Sequence, residues 1–335
     1  MFSLHHSAFR RPAALLLWAA AACCACVKTQ TLETPQELSL SAVASVSATE
    51  TKANPELSGA SLGTDNTYVI YASASAPGEP SFMAGQLFRY STSDARWHAS
   101  PDPVFWPLQG VSLDFLALAM KPAAFAALAP AMPTAESATL ADWDTHQDQY
   151  DVMYCVKNGQ SHTAGSTAPL PLVFKHSMAV VGFTAKSTVD AAVYTIKSLE
   201  LNGLQFKGTL TVDNSSTQVR TVWDVPDDAA HVGNKALTLS TPDFQVPFTS
   251  SATGVRCTDH MLVIPQPSRS VTLTYHVVNS IPDLTYTIHL PRIMWKEGRM
   301  YIYHLSFGPT EITVSSVTVT DWDGTPITDE ETLFS

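Results

Sequence analysis

Charge, glycine and cysteine are all scarce in this sequence. Lys, Arg, Asp and Glu together make up 15% of 335 residues, and the net charge is -11. The 19 basic residues are scattered, which excludes the clustered cationic surface that nucleic acid requires. Long helical periodicity is nearly absent. So are an HExxH helix, a G-x-S-x-G nucleophile elbow and a glycine-rich phosphate loop, and nothing in the sequence speaks for an enzyme. Of five cysteines, only Cys155 and Cys257 fall in the body of the chain. They cannot be paired from sequence and have no zinc spacing, so the expectation is two free, buried thiols.

What is present begins with the N-terminus. Arg10 and Arg11 precede an apolar run from Ala13 to Ala22, followed by Cys23, Cys24, Ala25 and Cys26. A short positive region, a short apolar stretch and small residues make a secretory signal. A cysteine at its end resembles the lipidated first residue of a bacterial lipoprotein. Cys26 is the first choice because the polar "CVKTQT" starts there, and Cys23 is the alternative. Residues 1–25 are therefore set aside as a lipoprotein signal peptide. Residues 26–60, rich in Ser, Thr, Ala and Glu, read as a tether or as a strand waiting for a partner.

Beyond residue 60, short alternating runs rich in Thr, Val, Tyr and Ile recur between turn residues such as Asn202-Gly203 and Glu297-Gly298. This pattern predicts antiparallel β-sandwiches. "GQSHTAGSTAPLP" (159–171) is the best linker, dividing a domain at 61–165 from one at 166–335. "PLVFKHSMAVVGFTA" (171–185) reads as one strand. By parity Leu172, Phe174 and His176 face inward, and the apolar face switches near residues 179–182, which predicts a bulge or twist.

Candidate chemistry is weak throughout. None of the histidines forms a metal-ligand spacing, although His276 and His289 fall on neighbouring predicted strands. "DWDTHQDQYD" (142–151) is acidic but lacks the calcium-loop pattern, and "TVWDVPDDAAH" (221–231) could supply a carboxylate pair only in the sense that any acidic loop could. Trp143 and Trp223, in those loops, are the better guesses for sugar contact. No cofactor and no metal is expected.

A set of motifs in fixed order resembles the fimbrillin family of Bacteroidetes. They are "VFWP" (104–107), "YDVMYC" (150–155), "LVFKHSMAVVGF" (172–183), "LVIPQ" (262–266), "W-x-x-G-R-x-Y-x-Y" (295–303) and the closing "ITVSSVTVTDW" (312–322). Within them His176, Pro265, Gln266, Trp295, Gly298, Tyr301 and Trp322 form the structural signature. The resemblance implies two tandem transthyretin-like antiparallel β-sandwiches. It implies export as an outer-membrane lipoprotein, display at the cell surface and partnership with other fimbrial subunits or further copies by strand exchange, with a host or bacterial surface ligand for adhesion. In polymerising relatives a protease removes the first strand and a neighbour's strand fills the groove. Those relatives are cut after arginine, yet no arginine occurs between Cys26 and Tyr68. Either another protease acts, with Lys52 the candidate processing point, or the lipid stays on and the chain is an anchor or a non-polymerising surface lipoprotein that binds a glycan or another ligand. Before maturation, residues 31–48 are expected to pair as a strand with the first sandwich.

Overall fold

The computed structural model describes residues 35–44, 62, 68–76, 81–107, 110–121, 135–147, 149–190, 192–278 and 282–322. These form twenty strands and no α-helix. In chain order they are β1 (Leu40–Ala44), β2 (Val69–Ser75), β3 (Ser81–Ser91), β4 (Arg96–Ala99), β5 (Ser112–Met120), β6 (Ser137–Asp144) and β7 (Met153–Ser161). Next come β8 (Leu170–His176), β9 (Ala179–Ser187), β10 (Tyr194–Gln205), β11 (Lys207–Asp213), β12 (Arg220–Asp224), β13 (Val232–Ala236) and β14 (Phe244–Val246). The last six are β15 (Val255–Arg256), β16 (Met261–Val263), β17 (Ser270–Val277), β18 (Leu284–His289), β19 (Arg299–Phe307) and β20 (Ile312–Asp321).

The first half closes into a barrel, in the order β1-β4-β3-β2-β5-β7-β8. Strands β2 and β5 are apolar on both faces because both are covered. Ile70, Ala72, Phe115 and Ala117 fill the barrel interior. The alternate residues Val69, Tyr71, Leu116 and Leu118 pack outward against a three-stranded sheet, β12-β11-β6. That sheet joins the two halves of the chain, since β6 precedes the barrel's last strands and β11 follows β10 directly. The second half is a sandwich. One sheet runs β13-β10-β17-β18 with β14 beside β10, the other β15-β9-β19-β20 with β16 beside β9. Val181, Phe183, Leu199, Leu273, Trp295 and Tyr303 lie between them.

Several expectations change here. The stretch 171–185 is two strands, not one: β8 completes the barrel and β9 opens the second sandwich. The parity switch is real, but its cause is a break at Ser177–Met178. Segment 159–171 is the end of β7, a loop and the start of β8, which pair antiparallel within the barrel; the chain crosses between halves at Ser177–Met178. The pairing is not wholly antiparallel, because β1 runs parallel to β8 and β9 parallel to β19. Asn202-Gly203 is no hairpin turn. Strand β10 continues through it with a register shift opposite β13, and Gly203 takes φ +62, a backbone region in which glycine avoids strain.

Candidate assembly groove

The segment at 36–44 lies in a slot of the barrel. The Leu38 amide donates to the Val104 carbonyl at 2.8 Å, and the Trp106 amide to the Gln36 carbonyl at 2.9 Å. On the other side the Leu170 amide donates to the Ser39 carbonyl at 2.8 Å. From there β1 runs parallel to β8, in register from Leu40↔Leu170 to Ala44↔Phe174. Only Leu40↔Trp97 ties it to β4. The expected pairing of residues 31–48 is thus present over 36–44.

Alternation sets what fills the slot. Leu38, Leu40 and Ala42 point inward and are wholly buried at 0% exposure, in a cluster with Phe88, Trp97, Phe115, Leu172 and Phe174. Burying each leucine contributes about 1.5–3 kcal/mol. The sequence "LSLSAVA" carries this two-residue period, which is the signal that locates the strand.

Ahead of β1, a latch holds the segment. His98 on β4 bonds Glu37 Oε1 through Nδ1 at 2.8 Å and Asp94 Oδ2 through Nε2 at 2.9 Å. Partial burial pulls the His98 pKa down, but the hydrogen bonds to Glu37 and Asp94 and the charges of both outweigh it, so the pKa is raised. No motif announces this trio, because its members come together only through the β3–β4 turn and the Glu37↔Phe105 bridge.

His176 Nδ1 meets Asp151 Oδ2 at 2.5 Å, and its ring stacks on Trp322 at 4.1 Å. Burial drives the Asp151 carboxyl pKa up, against the pull of His176. Pro265, half-buried, directs the chain into Gln266. Gln266 is buried, accepts from the Gln205 amide at 2.8 Å, and donates to the Gln205 and Ile264 carbonyls. Trp295 donates to the Tyr303 hydroxyl at 2.8 Å, and the Tyr301 hydroxyl accepts from the Lys296 amide at 2.9 Å. Gly298 takes φ +68, and its amide donates to the Met178 carbonyl at 2.8 Å, at the break between the halves. Cys23, Cys26 and Lys52 lie outside the described residues.

The alternative chemistries find other uses. His276 bonds Asp283, whereas His289 registers with Ser270, so these two histidines sit at opposite ends of the β17–β18 pair. Trp143 is buried at 1% exposure and offers no sugar contact. Trp223 donates to the Ser177 carbonyl. Asp144 caps its own turn through the His146 amide. Among the described residues no three His, Cys, Asp or Glu side chains gather around a metal position. Cys155 and Cys257 are free and buried in separate cores, and burial pushes both thiols up to about 12.

The fimbrillin-like family profile matches residues 51–322, most of the chain. This chain belongs to the fimbrillin-like family. Among solved structures, this fimbrillin-like protein is similar to a candidate cell adhesion protein of Bacteroides ovatus. The TM-score is 0.55 at 13% identity, covering 89% of this chain and 100% of that one. A candidate cell adhesion protein of Parabacteroides distasonis aligns with a TM-score of 0.54 at 12% identity, over 88% and 99% of the two chains. At these identities the likeness is one of fold. No curated protein matches the chain. The family is one of structural proteins, not of enzymes.

Proposed function

We propose that this fimbrillin-like protein is a surface lipoprotein that serves as a structural, accessory or anchor subunit of fimbriae and contributes to adhesion. In this reading Cys26 (or Cys23) carries the lipid to the outer membrane. Cleavage near Lys52 releases the segment that bears β1, and a strand from a neighbouring subunit takes its place. The observation that carries the proposal is the seating of β1. A short N-terminal strand is held by three inward side chains and a parallel ladder, and its removal would expose an apolar slot flanked by β8 and β4. An unpaired edge with alternating pockets suits strand addition. Occupying it before assembly keeps a sticky edge from pairing indiscriminately. Strand β20 lies near the C-terminal end of the described residues, with Ser315, Ser316 and Thr318 exposed, and together with the C-terminal tail it is the proposed donor. Mass spectrometry and N-terminal sequencing of the protein from its native outer membrane test the proposal. Loss of the first strand together with ladders on mild denaturing gels is expected; an intact acyl-Cys26 monomer would overturn the polymerising role.

A further inference from the structure

The second sandwich carries an open cavity of about 480 Å³ whose lining includes Arg269, Arg292, His289, Asn202 and Ser270 and no Asp or Glu. This is unusual on a chain of net charge -11. Three of these residues form one rung across three strands: Asn202 registers with Ser270, and Ser270 with His289. The next rung, Leu201–Val271–Ile288, is buried, so the Asn202 rung projects from the opposite, outer face. The two arginines flank it, one just before β17 and one shortly after β18.

The surrounding backbone is fixed. Ser268, buried, accepts from the Ile293 amide at 3.0 Å and donates to the Pro291 carbonyl, and the Leu290 amide donates to the Arg269 carbonyl at 2.9 Å. Gly203 makes room for the Arg269 side chain: a Cβ there would stand 3.1 Å from Arg269 Cδ. Among the described residues neither Arg269 nor Arg292 has an ion-pair partner. A guanidinium presents a planar fork that fits a carboxylate with two parallel bonds. Asn202 spends its amide hydrogens on Ser270 and Thr272, which leaves its carbonyl oxygen as an acceptor. A ligand matched to this cavity therefore carries both an anion and hydroxyl donors, and the volume is that of a small-molecule site.

We propose that this cavity binds a carboxylated sugar, a uronic-acid unit of an acidic glycan, with Arg269 and Arg292 on the carboxylate and Asn202 on a hydroxyl. The site shares no residue with the β1 groove and does not depend on strand exchange. The test is calorimetric titration of the full-length exported protein with an oligoglucuronate, a neutral oligosaccharide of equal length, and sodium sulfate. Saturable binding of the oligoglucuronate alone is expected, weakened by added salt and by at least about tenfold in each of Arg269→Gln and Arg292→Gln. Both residues are exposed, so the variants keep the fold, and their assembly, read separately on gels, is expected to be unchanged. Equal binding of sulfate would mean that the cavity reads a bare anion, and equal binding of the neutral sugar would mean that the arginines do not select. Either result, full affinity in the double variant, or no binding at all overturns the proposal.

Discussion

Replacing Leu40 with alanine tests whether β1 is a separable strand or an integral stave of the barrel. Leu40 is wholly buried and sits between Leu170 and Trp97. Truncating a core leucine to alanine costs about 2–5 kcal/mol through lost transfer energy and the cavity left behind. The lower half of that range is expected, because a five-residue strand at the seam can shift to close the gap. At about 3 kcal/mol, the population with β1 out of its slot rises about a hundredfold. Hydrogen exchange read by mass spectrometry resolves where the loss falls. Amides of residues 38–44 are expected to exchange faster in Leu40→Ala, while those of β5 and β7 keep their protection. Ser41→Ala, on the outward face, is the control and is expected to stay within about 0.5 kcal/mol of the parent. If protection falls equally in β1, β5 and β7, the strand is part of one cooperative barrel and the reasoning fails. Unchanged exchange at 38–44 refutes it as directly.

Two further outcomes follow from the histidine–carboxylate contacts. The raised His98 pKa means that its contribution is complete below the ordinary histidine value and fades as pH climbs through the folded value. His98→Asn is therefore expected to cost up to about 1 kcal/mol near pH 6, a ceiling set by the partial exposure of all three groups, and clearly less at pH 8.5; urea unfolding at the two pH values checks this, and an equal loss at both contradicts it. His176→Ala removes the partner of buried Asp151 and the ring stacked on Trp322. A cost of about 3–5 kcal/mol is expected from the uncompensated carboxylate, partly recovered by adding Asp151→Asn; a loss below 1 kcal/mol in urea unfolding would show that the pair does not hold the junction.

The sequence discloses strands better than it discloses which strands meet. β17, β18, β19 and β20 were legible because each has a clear two-residue period between turn residues. The period of "LSLSAVA" likewise supports β1. Pairing is another matter, since it depends on contacts between residues distant in the chain. The break at Ser177–Met178 produced only a parity switch, which a bulge explains equally well. Asn202-Gly203 has the composition of a hairpin turn, and only the β13 register shows that it is a bulge within β10. Asp151 looked like one carboxylate in an acidic loop; it is buried against His176 because β7 and β8 pair there. The arginine cavity has no local pattern, as Arg269 and Arg292 come to line one cavity only through the β17–β18 hairpin and the Ser268 clamp.

The central claim, that β1 must leave its slot for subunits to join, is tested most directly by locking it in place. Val43 and Val173 are in register across β1 and β8, and Val173 is exposed. Registered positions on adjacent strands fall within disulfide reach. In Val43→Cys/Val173→Cys, with Cys23, Cys24 and Cys26 changed to serine, the remaining thiols are buried and do not compete. After proteolysis at Lys52, the oxidised protein is expected to stay monomeric with β1 attached, and to form ladders once reduced. Assembly of the oxidised protein at the same rate as the reduced one would contradict the account.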